Sequence, residues 1–123
     1  MDLITWYLAQ LDEDEAAARS AYYEGQRWLS EEEDVLRWPD DELVHIAARK
    51  RDAAHIVRHD PAHVLADIAA RRAIVALHTG MHECSSFGDA FRCVHEFEVC
   101  DTVRHLASVY AHRPGYDPAW ALS

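Results

Sequence analysis

DELVHIAARKRDAAHIVRHDPAHVLADIAARRAIVALHTG, residues 41–80, reads as two helices meeting at a sharp joint. The joint is His59-Asp60-Pro61. A residue ahead of proline avoids the helical region, aspartate is a strong N-cap and proline suits the first helical position, so Asp60-Pro61 ends one helix and starts the next. Upstream, Leu43, Val44, Ala47, Ala54 and Val57 supply the inner face of a helix over 41–58. Downstream, a helix runs from Pro61 to Thr79, with Gly80 just beyond its end. Val64, Leu65, Ile68 and Val75 make one apolar face of that helix while Ile74 and Leu77 lie on the other side, which suits the centre of a bundle. A helix-turn-helix that turns Arg71 and Arg72 toward DNA is a weaker reading, because the chain is acidic and offers no basic recognition face.

Working outward, residues 3–24 form a long helix with Asp2 as N-cap and Gly25 as stop signal. Ile4, Tyr7, Leu8, Leu11, Ala18 and Tyr22 recur on it at helical spacing, and the DEDE run at 12–15 is a solvated face. Residues 26–40, QRWLSEEEDVLRWPD, break the periodicity and read as a connector or a short irregular hairpin. Their two tryptophans, Trp28 and Trp38, stand beside acidic residues, an arrangement that suits a partner-binding patch but more commonly covers the edge of a core. A last helix spans Asp101 or Thr102 to His112, with Val103, Leu106, Ala107 and Tyr110 as its core stripe, and Trp120 packs back from the tail. The expected fold is mainly α: a bundle of three long helices plus a shorter one, in a single domain over 1–123, with a Cys/His-rich insert at 80–100.

Half of the 123 residues are apolar, and Gly and Pro number only four each, which argues for an ordered chain with one core. The net charge of -10 is concentrated near the start: residues 1–42 hold 13 Asp/Glu and 3 Arg, whereas the remainder balances. Such a distribution opposes non-specific binding to phosphate backbones, which needs clustered Lys and Arg. MDLITWYLAQLDEDE has no basic start and no long apolar run, and no later stretch approaches a membrane span of about 18 apolar residues. A cytoplasmic protein is therefore expected, acting on a protein partner rather than on nucleic acid or membrane, with a homodimer left open.

Three stretches together, LDEDEAAARSA, RHDPAHVLADIAARRAIV and VRHLASVYAHRPGYDPAW, resemble an uncharacterised family of small proteins, a domain of unknown function found widely in actinobacteria and their phages. The resemblance covers about half of the chain and implies a small actinobacterial or phage protein with no assigned activity. Its motifs are structural. Two departures stand out: the cysteine-rich segment is not a family trait, and His112-Arg113-Pro114 stands where Asp-His-Pro is common.

That segment, HECSSFGDAFRCVHEFEVC at 82–100, holds all three cysteines and two of the nine histidines. Phe91, Cys93, His95, Phe97 and Val99 alternate with polar residues as in a strand, and Gly88-Asp89 suits a two-residue hairpin turn. Folding about that turn sets Cys84 against Cys93 and His82 against His95. Opposed residues have Cβ atoms roughly 4.5 to 5.5 Å apart, close enough for a Cys₂His₂ zinc site. Cys100 precedes a helix start, where free N–H groups favour a thiolate, so a Cys₃His set of Cys84, Cys93 and Cys100 with His82 or His78 competes. His105 projects away from the core stripe, and His45, His55, His59, His63 and His112 read as surface or capping residues. Against a metal stand buried, inert cysteines and a Cys84–Cys93 disulfide, which a reducing compartment disfavours.

The functional expectation is a non-enzymatic binding or regulatory protein, stabilised by a structural zinc. A metal-dependent enzyme would need an open coordination position and a general base, and nothing selects Glu83 or Glu96 for that role. The third alternative is an acidic inhibitor of phage origin that imitates DNA through residues 12–15 and 31–42.

Overall fold

A computed structural model describes residues 1–80, 82–83, 93–94 and 99–122. The chain divides into two compact units, Glu13–Ile68 on one hand and Met1–Asp12 with Ala69–Ser123 on the other. In order, the elements are α1 (Leu3–Ala21), β1 (Arg27–Glu31), β2 (Asp34–Trp38), β3 (Glu42–Ile46), α2 (Lys50–Arg58), α3 (Pro61–Leu77), β4 (His82–Glu83), β5 (Cys93–Val94) and α4 (Asp101–Ser108), followed by a 3₁₀ turn at Pro118–Trp120.

The expected bundle of three long helices is overturned by the unit Glu13–Ile68, where β1, β2 and β3 form an antiparallel sheet in that order. Of the two expectations for residues 26–40, a connector or a short irregular hairpin, the hairpin is present, with Glu31 opposite Asp34 and a two-residue loop, Glu32-Glu33. The first half of the expected helix 41–58 is strand β3, and only Lys50–Arg58 is helical. The physical reason lies in the breaks. Glu32 and Asp41 take left-handed backbone at φ 55°, a conformation for which sequence normally supplies Gly or Asn. Arg49, the N-cap of α2, is extended and makes no side-chain capping bond, so nothing local marks the true helix start.

One face of this sheet carries the core of its unit. Val35, Ala47 and Ala53 are buried together, with Trp28, Val44, Ile56 and Val57 packed around them. Pairing shifts between Val35 and Leu36, an irregularity opposite Val44. The start of α3 closes the unit: Asp60 caps the helix by accepting from His63 N at 2.9 Å, and also accepts from Trp28 N at 3.1 Å and from Arg27 Nε and Nη2 at 2.6 and 3.2 Å. The predicted Asp60-Pro61 helix start is thus present, with a tie to β1 added.

In the other unit, Leu3, Trp6, Tyr7, Leu11, Val75, Cys100, Val103, Ala107 and Tyr110 are buried. Asp2 caps α1 through Thr5 N at 2.9 Å, as its position predicts. Of the predicted α4 stripe, Val103 and Ala107 are buried and Leu106 is half-buried; the helix ends at Ser108, short of the expected His112, and Tyr110 is buried in the turn beyond it. Trp120 does pack back: Trp6, Tyr116 and Trp120 form an aromatic trio with centroids 5.4 to 5.5 Å apart. Gly115, at φ 89°, lets the backbone pass the edge of Trp6, whose Nε1 donates to Pro114 O at 3.2 Å. Among the described residues no helix is long and apolar enough to cross a membrane.

Candidate metal centre

Within the unit that holds the ends of the chain, three short segments meet. Helix α3 stops at Leu77, and His78 N donates to Val75 O at 3.0 Å, a last tight turn that leaves the His78 ring just beyond the helix. Gly80 then adopts φ 73°, a left-handed step that reverses the chain and begins β4 at His82. The reversal returns His82 to His78, with ring centroids 5.0 Å apart and planes at 82°. From the other side comes Cys100, fully buried, in extended backbone as the N-cap of α4.

His78 Nδ1 lies 3.3 Å from His82 Nε2 and 3.5 Å from Cys100 Sγ. All three donor atoms fall within 4.8 Å of one another. A tetrahedral zinc ion with bonds of about 2.0 to 2.1 Å to nitrogen and 2.3 Å to sulfur would hold its donors about 3.3 Å (N to N) and about 3.6 Å (N to S) apart. Two edges of the triangle therefore already have the lengths of a coordination tetrahedron.

Proton accounting points the same way. His82 Nδ1 is 2.9 Å from Gly80 O, and a carbonyl can only accept, so the neutral ring carries its proton on Nδ1 and presents a lone pair at Nε2. In neutral rings His78 Nδ1–H can donate to that lone pair, with the Cys100 sulfur beside it, and a metal ion would take that proton's place. A cation shared by three lone pairs satisfies all three groups. The Gly80 carbonyl then takes the part of the outer partner that orients a ligating imidazole.

Of the ligands expected from sequence, His82 and Cys100 belong to this group, and so does His78, expected as a substitute for a histidine ligand. Cys84 and His95 lie outside the described residues, as does the turn at Gly88-Asp89. Strand β5 does pair antiparallel with β4, but His82 stands opposite Val94 and Glu83 opposite Cys93. The pairing is displaced by one position from the one expected to oppose His82 with His95, and a one-residue shift exchanges the faces of a strand. Sequence reasoning ranked the hairpin pairs above His78. The signal for His78 was available in the H-x-x-x-H spacing of His78 and His82 across a glycine.

The remaining histidines fit the surface reading: His45, His55, His59, His63, His105 and His112 are all exposed. His55, His59 and His63 stack in sequence with centroids 4.8 and 5.8 Å apart.

Residues 1–122 match a family described as a family of unknown function, DUF6221. No curated protein and no solved structure matches the chain.

Proposed function

We propose, for a chain that belongs to DUF6221, a family of unknown function, that it is a non-enzymatic binding protein whose fold is completed by a structural zinc ion. The observation that carries this reading is the convergence of His78 Nδ1, His82 Nε2 and Cys100 Sγ within 4.8 Å, with the two separations from His78 at tetrahedral length. Imidazole and thiolate donors favour zinc over magnesium or calcium, which take oxygen ligands. The fourth position is assigned to a cysteine of the insert, Cys93 or Cys84, with His95 as the histidine alternative. Four protein ligands leave no position for substrate or water, so the ion's work is mechanical. It pins the end of α3, the start of β4 and the start of α4, and closes the loop that carries the insert. The macromolecule bound is a protein rather than a nucleic acid, in keeping with the net charge of -10.

Protein purified without chelator should carry one equivalent of zinc by elemental analysis, and a chelator should lower its melting temperature. Cys100→Ser and His78→Ala should each abolish stoichiometric loading. Cobalt exchanged into the site should show thiolate-to-metal charge-transfer absorption that Cys93→Ser or Cys84→Ser weakens. Metal-free protein whose melting temperature ignores both zinc and chelator would overturn the reading.

A further inference from the structure

The sheet of the unit Glu13–Ile68 has a second face. Cross-strand partners share a face, so the register groups Arg27 with Trp38, Leu29 with Leu36 and Leu43, and Glu31 with Asp34 and Ile46. This is the side away from Val35, whose face packs on α2. Three of its large apolar side chains are open to solvent: Trp38 is 52% exposed, Leu43 51% and Ile46 61%. A clustered exposure of this kind marks interaction surfaces, whereas singly scattered apolar residues do not.

The rim decides what fits. Glu31, which shares this face, and Glu32, Asp40 and Asp41 in the two loops beside it are exposed. Two nearby cations are engaged, Arg27 with Asp60 and Lys50 with Glu32. A nucleic acid or a second copy of this acidic chain would bring like charge to that rim. A segment with both apolar and cationic side chains meets both features at once.

We propose that the outer face of β1, β2 and β3, centred on Trp38, Leu43 and Ile46, is a docking surface for a cationic, amphipathic segment of a partner protein. The surface lies in a different unit from the zinc ligands and does not depend on metal.

The full chain is titrated with three synthetic peptides of equal length: Lys/Leu, Lys/Ser and Glu/Leu. The Lys/Leu peptide should bind, shifting the amide resonances of residues 36–46 and the Trp38 indole. Its affinity should fall about tenfold when salt rises from low to several hundred millimolar, as screening removes the attraction of exposed charges. Leu43→Ser and Trp38→Ser should each weaken binding by about fivefold or more, while Glu13→Gln, on α1 and not on the sheet, should leave it unchanged. Should Trp38→Ser fail to fold, the exposed Leu43→Lys carries the same test. Equal binding of the Lys/Ser peptide, resonance shifts elsewhere, indifference to the Leu43 substitutions, or a concentration-dependent dimer that buries this face would each overturn the proposal. So would binding of the Glu/Leu peptide.

Discussion

Replacing Asp60 should strongly destabilise the unit Glu13–Ile68, and the size of the effect can be worked from its contacts. The side chain is 1% exposed and accepts four hydrogen bonds, two from Arg27 and one each from the N–H groups of Trp28 and His63. Asp60→Ala removes a helix N-cap, worth about 1 kcal/mol. It also strips a partner from the part-buried Trp28 N–H, about 1 to 3 kcal/mol. The guanidinium of Arg27 is 60% exposed and returns to water, so its ion pair adds less than about 1 kcal/mol. The expected loss is about 2 to 4 kcal/mol by urea unfolding. Asp60→Ser keeps the cap and should fall in between, and Arg27→Ala should cost the least.

The same residue predicts a pH dependence. Burial would push the carboxyl of Asp60 up, but Arg27 and the N–H groups of His63 and Trp28 outweigh it and hold the folded group below its ordinary value. A carboxyl depressed on folding stabilises at pH above its unfolded value, and loses that contribution as pH falls through the folded value. The stability gap between the native chain and Asp60→Asn should therefore be full at neutral pH and close in acid below the ordinary carboxylate range. A gap that stays constant into acid, or an Asp60→Ala cost below about 1 kcal/mol, would refute the reasoning.

Two further substitutions test the backbone. A Cβ at Gly115 would stand 2.7 Å from Trp6 Nε1, at φ 89°, so Gly115→Ala should lower stability by about 2 to 4 kcal/mol in denaturant unfolding and shift the Trp6 fluorescence. Glu32 holds φ 55° in the β1–β2 loop, and Glu32→Gly should raise stability by about 0.5 to 1 kcal/mol, since relief of the left-handed penalty exceeds glycine's entropy and the exposed pair with Lys50 counts for little.

How much of the fold was legible depends on where its punctuation sits. Helix α3 announces itself because Asp60-Pro61 and Gly80 are side-chain and backbone signals that act locally, and α1 is marked by Asp2 in the same way. The three-stranded sheet shows in the sequence only as the hairpin alternative at 26–40, because its two turns rely on Glu32 and Asp41 in left-handed backbone, with no glycine or asparagine to betray them. The helical reading of 41–58 failed instructively. Of the five residues taken as one helix face, Val44, Ala47 and Val57 do converge on one core, joined by Ala53 and Ile56, whereas Leu43 and Ala54 are exposed. Periodicity found three inward-facing residues but not the backbone that brings them there, since a strand, a break at 47–49 and a short helix deliver those three to the same place.

The candidate metal centre follows the same division. Two of its three described donors flank helices whose ends the sequence does mark: His78 directly after α3 and Cys100 directly before α4. Donors at helix ends are the ones a sequence can place, because capping and stop signals fix where the helix leaves off. Donors in a hairpin depend on register, and there a displacement of one residue set Glu83, not Cys84, opposite Cys93. Register is specified strongly only where one face of a strand pair is buried in a core. The pairing described between β4 and β5 spans two residues on each side, too few for an alternating apolar pattern to fix it. If zinc supplies the missing constraint, metal binding and hairpin register are one event. Loading zinc should then sharpen the amide resonances of His82, Glu83, Cys93 and Val94 together with the Cys100 signal, and a chelator should broaden both sets in step.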